Sequence, residues 1–230
     1  MTTRIAIIPA RGGSVRAPGK NIAIVGGLSL IERAVRQALR ISLYDKIIVS
    51  TDDESVRELV KEYPVIVNER KPSLGGDKAP IIAVIADLIN AYEIPPDAIV
   101  SLLVVTAPLR EDADIVEAHK VFEDSNQLRS LVSVCEVDYP VEMTWRKKED
   151  GSLYSPFEIS TTRKQDFQPS YRWNDAIIID VASSFLVEGR NLFGDNPIPF
   201  EMPPERSIYI DYNWQLELIR KIIEKNGDDQ

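Results

Sequence analysis

The sequence predicts an α/β fold in three layers, with a mostly parallel sheet between helices. Near-continuous apolar runs at 5–9, 46–50, 98–105 and 130–137 read as strands buried on both faces, the habit of parallel sheets. Stretches with apolar residues at helical spacing alternate with them, as βαβ connections require. Polar and charged segments follow the carboxyl ends of the first three runs, where open α/β sheets bind ligands.

The 230 residues suit one domain, taken here as 1–230, with 138–171 as an appended arm. A net charge of −9, from 27 basic and 36 acidic side chains, argues against general nucleic-acid binding. Cys135 is the single cysteine, expected in the core, so no intrachain disulfide can form and a reducing cytoplasm is expected. The first apolar run is too short for a signal peptide or a membrane span. The acidic tail, Asp228 to Gln230, is expected to fray.

The first strand, Ile5 to Pro9, runs into a loop holding Arg11, Gly12, Gly13, Ser14, Arg16, Gly19, Lys20 and Asn21. Glycines free backbone N–H groups to converge on an anion, and the arginines and lysine add charge where a polyphosphate would sit. This is not the ATPase P-loop: five residues separate Gly13 from Gly19, and Asn21 follows Lys20. Nor does it have the dinucleotide spacing of glycines.

Ser29 to Glu32 reads as a capping box opening a helix to about Ser42. Lys46 to Ser50 is the second strand, ending in Thr51-Asp52-Asp53-Glu54. Asp53 is expected to cap the next helix; Asp52 is open to a capping role or a ligand contact. A helix over 54–62 and a strand at 65–67 follow, then a basic turn with Arg70, Lys71 and Asp77, then a helix over 80–92. The central strand, 98–105, ends in Thr106-Ala107-Pro108-Leu109-Arg110, and Asp112 is expected to cap a helix to about Asp124. His119 on that helix lies among Glu117, Lys120 and Glu123 and reads as a surface residue, leaving no imidazole base and no histidine metal site. After the strand at 130–137, prolines, scattered aromatics and charges over 138–171 break the helix–strand alternation. Core returns at Tyr171 to Ile179. Ser184 to Glu188 is a helical turn, and 207–211 leads into a last helix, 213–225, with Trp214, Leu216, Leu218, Ile219, Ile222 and Ile223 as its apolar positions.

The first loop, Ile-Pro-Ala-Arg-Gly-Gly-Ser followed by Pro-Gly-Lys-Asn, resembles the N-terminal signature of the CMP-sialic acid synthetase (acylneuraminate cytidylyltransferase) family. The resemblance runs from Ile5 to about Ile219. It implies a Rossmann-like, nucleotide-diphospho-sugar transferase-like fold. It also implies transfer of CMP from CTP to a 2-keto sugar acid, with release of pyrophosphate and a requirement for Mg²⁺. It assigns Arg11, Gly12, Gly13, Ser14, Lys20 and Asn21 to the triphosphate, with Asp52, Arg70, Lys71 and Asp77 as further nucleotide contacts. Thr106, Arg110 and Asn174 fall to the sugar. The arm would pack on a second copy of the chain, with Trp145, Phe157 and Phe167 as apolar anchors. Arg163, Lys164 and Gln165 would reach the partner's sugar carboxylate.

The chain departs from the family pattern at several positions: Val104 stands for a glutamine, Ala107 for a serine, Asp175 for a glycine and Tyr209 for the first of two metal-binding aspartates. Asp211, the second, is retained. A phenol with an ordinary pKa is a poor Mg²⁺ ligand. Three readings follow: Asp211 suffices with waters and phosphates, Asp175 substitutes, or catalysis is weakened. Transfer to another acceptor, such as a sugar phosphate, and a nucleotide-binding module without catalysis are the alternative functions.

Overall fold

The computed structural model describes residues 2–14, 16–76, 79–126, 129–159, 161 and 163–226. Asp77 and the acidic tail at 228–230 lie outside them. The strands are β1 Arg4–Pro9, β2 Ile24–Val25, β3 Leu28–Ser29, β4 Lys46–Thr51, β5 Ile66–Glu69, β6 Ile99–Leu103, β7 Leu131–Glu136, β8 Arg146–Lys147, β9 Leu153–Tyr154, β10 Tyr171–Val181 and β11 Ile198–Glu201. The helices are α1 Leu30–Arg40, α2 Glu54–Val60, α3 Pro72–Gly75, α4 Ile81–Ala91, α5 Asp112–Asp124, α6 Ala182–Phe185 and α7 Asn213–Asn226.

Seven strands form one sheet in the order β11-β7-β10-β6-β1-β4-β5. All run parallel except β10, which is antiparallel to both β6 and β7. The apolar runs are continuous because both faces are covered. Ala6 and Ile8 of β1 join the core shared with α1, α2, α5 and α7, while Ile5 and Ile7 join the core shared with α4 and α6. β6 divides likewise, with Ile99 and Leu103 on the first side and Val100 and Leu102 on the second. Cys135 is buried, as expected.

The capping box at α1 is present, with Ser29 and Glu32 exchanging side-chain and backbone bonds. Asp53 caps α2 through the Ser55 amide. Asp112 does not cap α5. Glu111 holds that position and its amide donates to Asp114 at 2.8 Å, while Asp112 takes a two-pronged contact from Arg40 of α1. His119 is also not a surface residue. It is 3% exposed, and its Nε2 lies 2.8 Å from the Ser101 hydroxyl and 3.2 Å from that of Tyr44. The inner stripe of α5 is Ile115, Ala118, His119 and Phe122, and the charged neighbours that suggested a surface site lie on the other faces. Burial, with Arg4 nearby, pushes the imidazole down to about 4 and keeps it neutral.

Helix α7 buries Leu216, Ile219 and Ile223, whereas Trp214 and Leu218 face outward. Six apolar positions were too many for one helical stripe. Segment 207–211 is no member of the sheet; the Ile210 amide donates to the Thr106 carbonyl at 2.8 Å. No described helix is long and apolar enough to cross a membrane.

Candidate active site

Every parallel strand delivers its carboxyl end to the same edge of the sheet. Because β10 is reversed, it delivers its first residues there. The edge therefore carries, in spatial order, Arg70 after β5, the first loop after β1, Val104 to Thr106 after β6, and Trp173 and Asp175 of β10. These residues line an open cavity of about 330 Å³ together with Arg11, Ser14, Lys20 and Asn21, at the small end of the usual range for small-ligand sites.

The loop is held by side chains. Asn21 is buried and donates from Nδ2 to the Arg11 carbonyl at 2.8 Å. Asp52 accepts from the Gly12 amide at 2.9 Å, and the Ser14 amide donates to the Gly12 carbonyl at 2.9 Å. Asp52 thus neither caps α2 nor lines the cavity; it braces the loop. This corrects the expected backbone nest. Neither Gly12 nor Gly13 has a positive φ, and the Gly12 and Ser14 amides are already engaged. Gly12 is needed for a close approach instead, since a Cβ there would meet Asp53 at 3.1 Å. Gly19, at φ 69°, supplies the left-handed turn that starts the Lys20–Ile22 helical turn. The cationic character of the cradle comes from the Arg11 and Lys20 side chains.

Lys20 reaches across to the other end of the chain. Its Nζ donates to the Ile210 carbonyl at 3.0 Å and lies 3.8 Å from Asp211 Oδ1. Burial lowers the ammonium pKa, opposed by the charges of Asp211 and Asp175. Arg16 closes on Asp211 Oδ2 at 2.9 Å and covers the Tyr212 ring at 5.4 Å. Arg70 is buried at the cavity wall and donates to the Ser50 carbonyl at 2.9 Å. Thr106 lines the cavity with its carbonyl held by Ile210, and Val104 presents an aliphatic wall.

Sequence reasoning underrated Asp175. It sits at φ 59°, where the register of β10 against β7 shifts between Trp173 and Ile178. Burial pushes its carboxyl up to about 6, with Lys20 lowering it and Asp211 raising it further. Its signal was present: an aspartate in place of glycine at a position that needs a positive φ. Tyr209 is drawn off by Arg172, whose guanidinium lies 5.6 Å from the ring centroid.

Six assigned residues lie elsewhere, and a seventh is outside the described residues. Arg110 is buried in the interior, donating to Gln37 Oε1 at 3.0 Å and to the Ala176 carbonyl at 2.6 Å; burial brings its pKa down to about 10. Asn174 points away from Asp175 along the strand, accepting from Ser133 Oγ at 2.6 Å and donating to Ser207 Oγ at 3.0 Å. Both fasten β10 rather than meet a ligand. Lys71 is exposed and pairs with Asp87 of α4. Asp77 is not among the described residues. Arg163, Lys164 and Gln165 stand exposed on the arm and line no part of their own chain's cavity.

The oxygen donors fit a small hard cation only in part. Among the described residues no group of three His, Cys, Asp or Glu could hold a metal ion. Asp211 and Asp175 are near enough for each other's charge to be felt, and a triphosphate would have to supply the remaining oxygens, as is usual for Mg²⁺.

Comparison with known proteins agrees with this geometry. Residues 5–165 match the family model described as cytidylyltransferase. An N-acylneuraminate cytidylyltransferase of Streptococcus agalactiae serotype V is 33% identical over 90% of this chain. The chain spans about half of that protein's length (50%). A pseudaminic acid cytidylyltransferase of Campylobacter jejuni subsp. jejuni is 28% identical, with 97% of both chains covered. Among solved structures, a CMP:2-keto-3-deoxy-manno-octonic acid synthetase complexed with CTP superposes with a TM-score of 0.71. It is 16% identical, covers 98% of this chain and is itself wholly covered (100%), a likeness of fold.

Proposed function

Because the chain belongs to the cytidylyltransferase family, we propose that it transfers CMP from CTP to the anomeric hydroxyl of a 2-keto sugar acid of the nonulosonic type, releasing pyrophosphate. The observation that carries this reading is the meeting of Lys20, from the first loop, with Asp211, from the far end of the chain, beside a cavity that Arg11 also lines.

In this reading Arg11 and Lys20 neutralise the triphosphate, and Ser14 and Asn21 shape the cradle. Arg70 lies on the nucleoside side, and Val104, Thr106 and Trp173 form the acceptor side. The acceptor hydroxyl oxygen attacks the α-phosphorus in line as the bond to pyrophosphate breaks; pyrophosphate departs toward the cations and the hydroxyl proton passes to water, so catalysis is positioning and charge neutralisation. When bound, Mg²⁺ supplies Lewis-acid polarisation of the phosphoryl oxygens. Asp211 would hold it.

The arm extends the proposal to a homodimer. Tyr139, Trp145, Leu153 and Phe157 are exposed on it, more apolar surface than one short excursion needs. Arg163, Lys164 and Gln165 would then serve the neighbouring cavity. A cytoplasmic location is inferred from the single buried cysteine.

The test is pyrophosphate release from CTP and Mg²⁺ with sialic, legionaminic, pseudaminic and 3-deoxy-octulosonic acids offered in turn. Release with one acceptor, lost in Asp211→Ala, establishes the reading and names the sugar. Binding of CTP without release in any mixture favours a module that does not catalyse.

A further inference from the structure

The nucleotide side of the cavity is built from two segments far apart in the chain: the first loop, with Arg11 and Ser14, and the stretch after β5, with Arg70. Both are fastened to the residues from Ser50 to Asp53, which run from the end of β4 to the cap of α2. Thr51 Oγ1 donates to the Ala10 carbonyl at 2.6 Å, and Asp52 Oδ1 accepts from the Gly12 amide at 2.9 Å. On the other side, Arg70 donates from its amide to the Thr51 carbonyl at 2.8 Å and from its guanidinium to the Ser50 carbonyl at 2.9 Å. The second oxygen of Asp52 faces Gly75 of α3 so closely that a Cβ there would lie 2.6 Å from it. Neither Asp52 nor Gly75 lines the cavity. Ser50 and Thr51 are buried parts of the sheet, whereas Asp52 is exposed and spans the two segments by its side chain alone. Water can satisfy an exposed carboxylate, so folding does not demand this seat; the spacing of the two segments does.

We propose that Asp52 is a positioning residue that clamps the first loop to the stretch after β5, so that the phosphate and nucleoside halves of the CTP site keep one spacing, and that position 75 is glycine to leave room for its carboxylate. This rests on the CTP-binding reading above. A nucleotide reaches across both halves, so its affinity depends on their separation. The acceptor side is set by β6 and β10 and does not depend on Asp52.

The experiment is calorimetric titration of CTP, with Mg²⁺ present throughout, into the wild type, Asp52→Ala, Asp52→Asn, Gly75→Ala and the double variant Asp52→Ala/Gly75→Ala, with melting curves for each. Asp52→Ala should weaken CTP binding about tenfold, the equivalent of one charge-assisted hydrogen bond. Asp52→Asn keeps an oxygen that accepts from Gly12 and should restore most of the affinity. Gly75 ends α3 without a positive φ, so alanine suits its backbone and should leave the melting temperature unchanged or raise it. Gly75→Ala should nevertheless weaken CTP binding about as much as Asp52→Ala does, a loss of affinity without loss of stability that a merely structural role would not produce. In the double variant the losses should not add, because the Cβ at 75 then lies 3.6 Å from that of residue 52, an ordinary contact. Additive losses, or wild-type affinity in Asp52→Ala, overturn the proposal. So does an Asp52→Asn variant as weak as Asp52→Ala, which would make the charge and not the clamp the cause. A wild type that binds no CTP overturns the nucleotide reading itself, and with it the proposal.

Discussion

Lys20 and Asp211 lie 3.8 Å apart although nearly the whole chain separates them, and the lysine also grips the Ile210 carbonyl at 3.0 Å. The contact closes the first loop onto the segment before α7. Lys20→Ala removes a charge-assisted contact to phosphate of about 1.5–3 kcal/mol, so the dissociation constant for CTP should rise roughly 10–100-fold. Asp211→Ala should instead lower Mg²⁺-dependent pyrophosphate release by about a hundredfold or more, the several kcal/mol a metal-held charge contributes. Steady-state kinetics with CTP varied separate the two.

Arg110→Ala should unfold or severely destabilise the protein rather than alter substrate use. The guanidinium is buried against the Ala176 carbonyl and Gln37, and its loss strands both, at a cost of about 3 kcal/mol or more. Arg110→Lys should not restore stability, since an ammonium cannot reproduce the fork. Urea denaturation provides the check. A variant of wild-type stability with altered acceptor kinetics would contradict the interior role.

His119 is the only histidine, so its ring gives a single set of imidazole resonances. Its midpoint should fall to about 4 rather than the usual 6.5. The unfolded chain takes up that proton first, so stability is full above about pH 6.5 and declines as the pH falls toward 4. An NMR titration reads the midpoint directly. A value near 6.5 would mean that the ring is solvated.

Asp175 shifts the other way. Its carboxyl, at about 6 against an ordinary 3.8, favours the folded state while protonated. That contribution is full below about pH 4 and is lost as the pH rises through 6. Asp175→Asn should therefore stabilise the protein at pH 7.5, by about 3 kcal/mol at most, with the difference vanishing below pH 4. Thermal melts across that range test it.

Trp145→Asp should convert a dimer to a monomer in light scattering if the arm is the interface. Mixing Lys20→Ala with Lys164→Ala subunits should then return part of the activity, because one site of the mixed dimer keeps both lysines. An unchanged oligomer in the first experiment would remove the arm from the interface.

Much of this was legible in the residues. Strands covered on both faces announce themselves as unbroken apolar runs, and the loop from Arg11 to Asn21 concentrates cations on an acidic chain. The misreadings share a cause: a polar side chain carries no mark of which partner satisfies it. Arg110 and Asn174 carry the chemistry of ligand contacts yet spend it on a carbonyl and two serines. His119 hid among charged neighbours because helical periodicity, not adjacency, decides what is buried. The reversed direction of β10 leaves no trace in its composition. β11 is only four residues with a proline, and was not anticipated.

That reversal has an engineering consequence. Since β10 begins at the ligand edge, the outward arm runs straight on into Trp173 and Asp175, the part of the cavity wall that β10 supplies. The stretch leaves β7 and ends within β10, its neighbour in the sheet. In the proposed reading, subunit pairing and part of the acceptor wall therefore share one segment. A graft of this segment between relatives is expected to move the two together, while Val104 and Thr106 stay with the host.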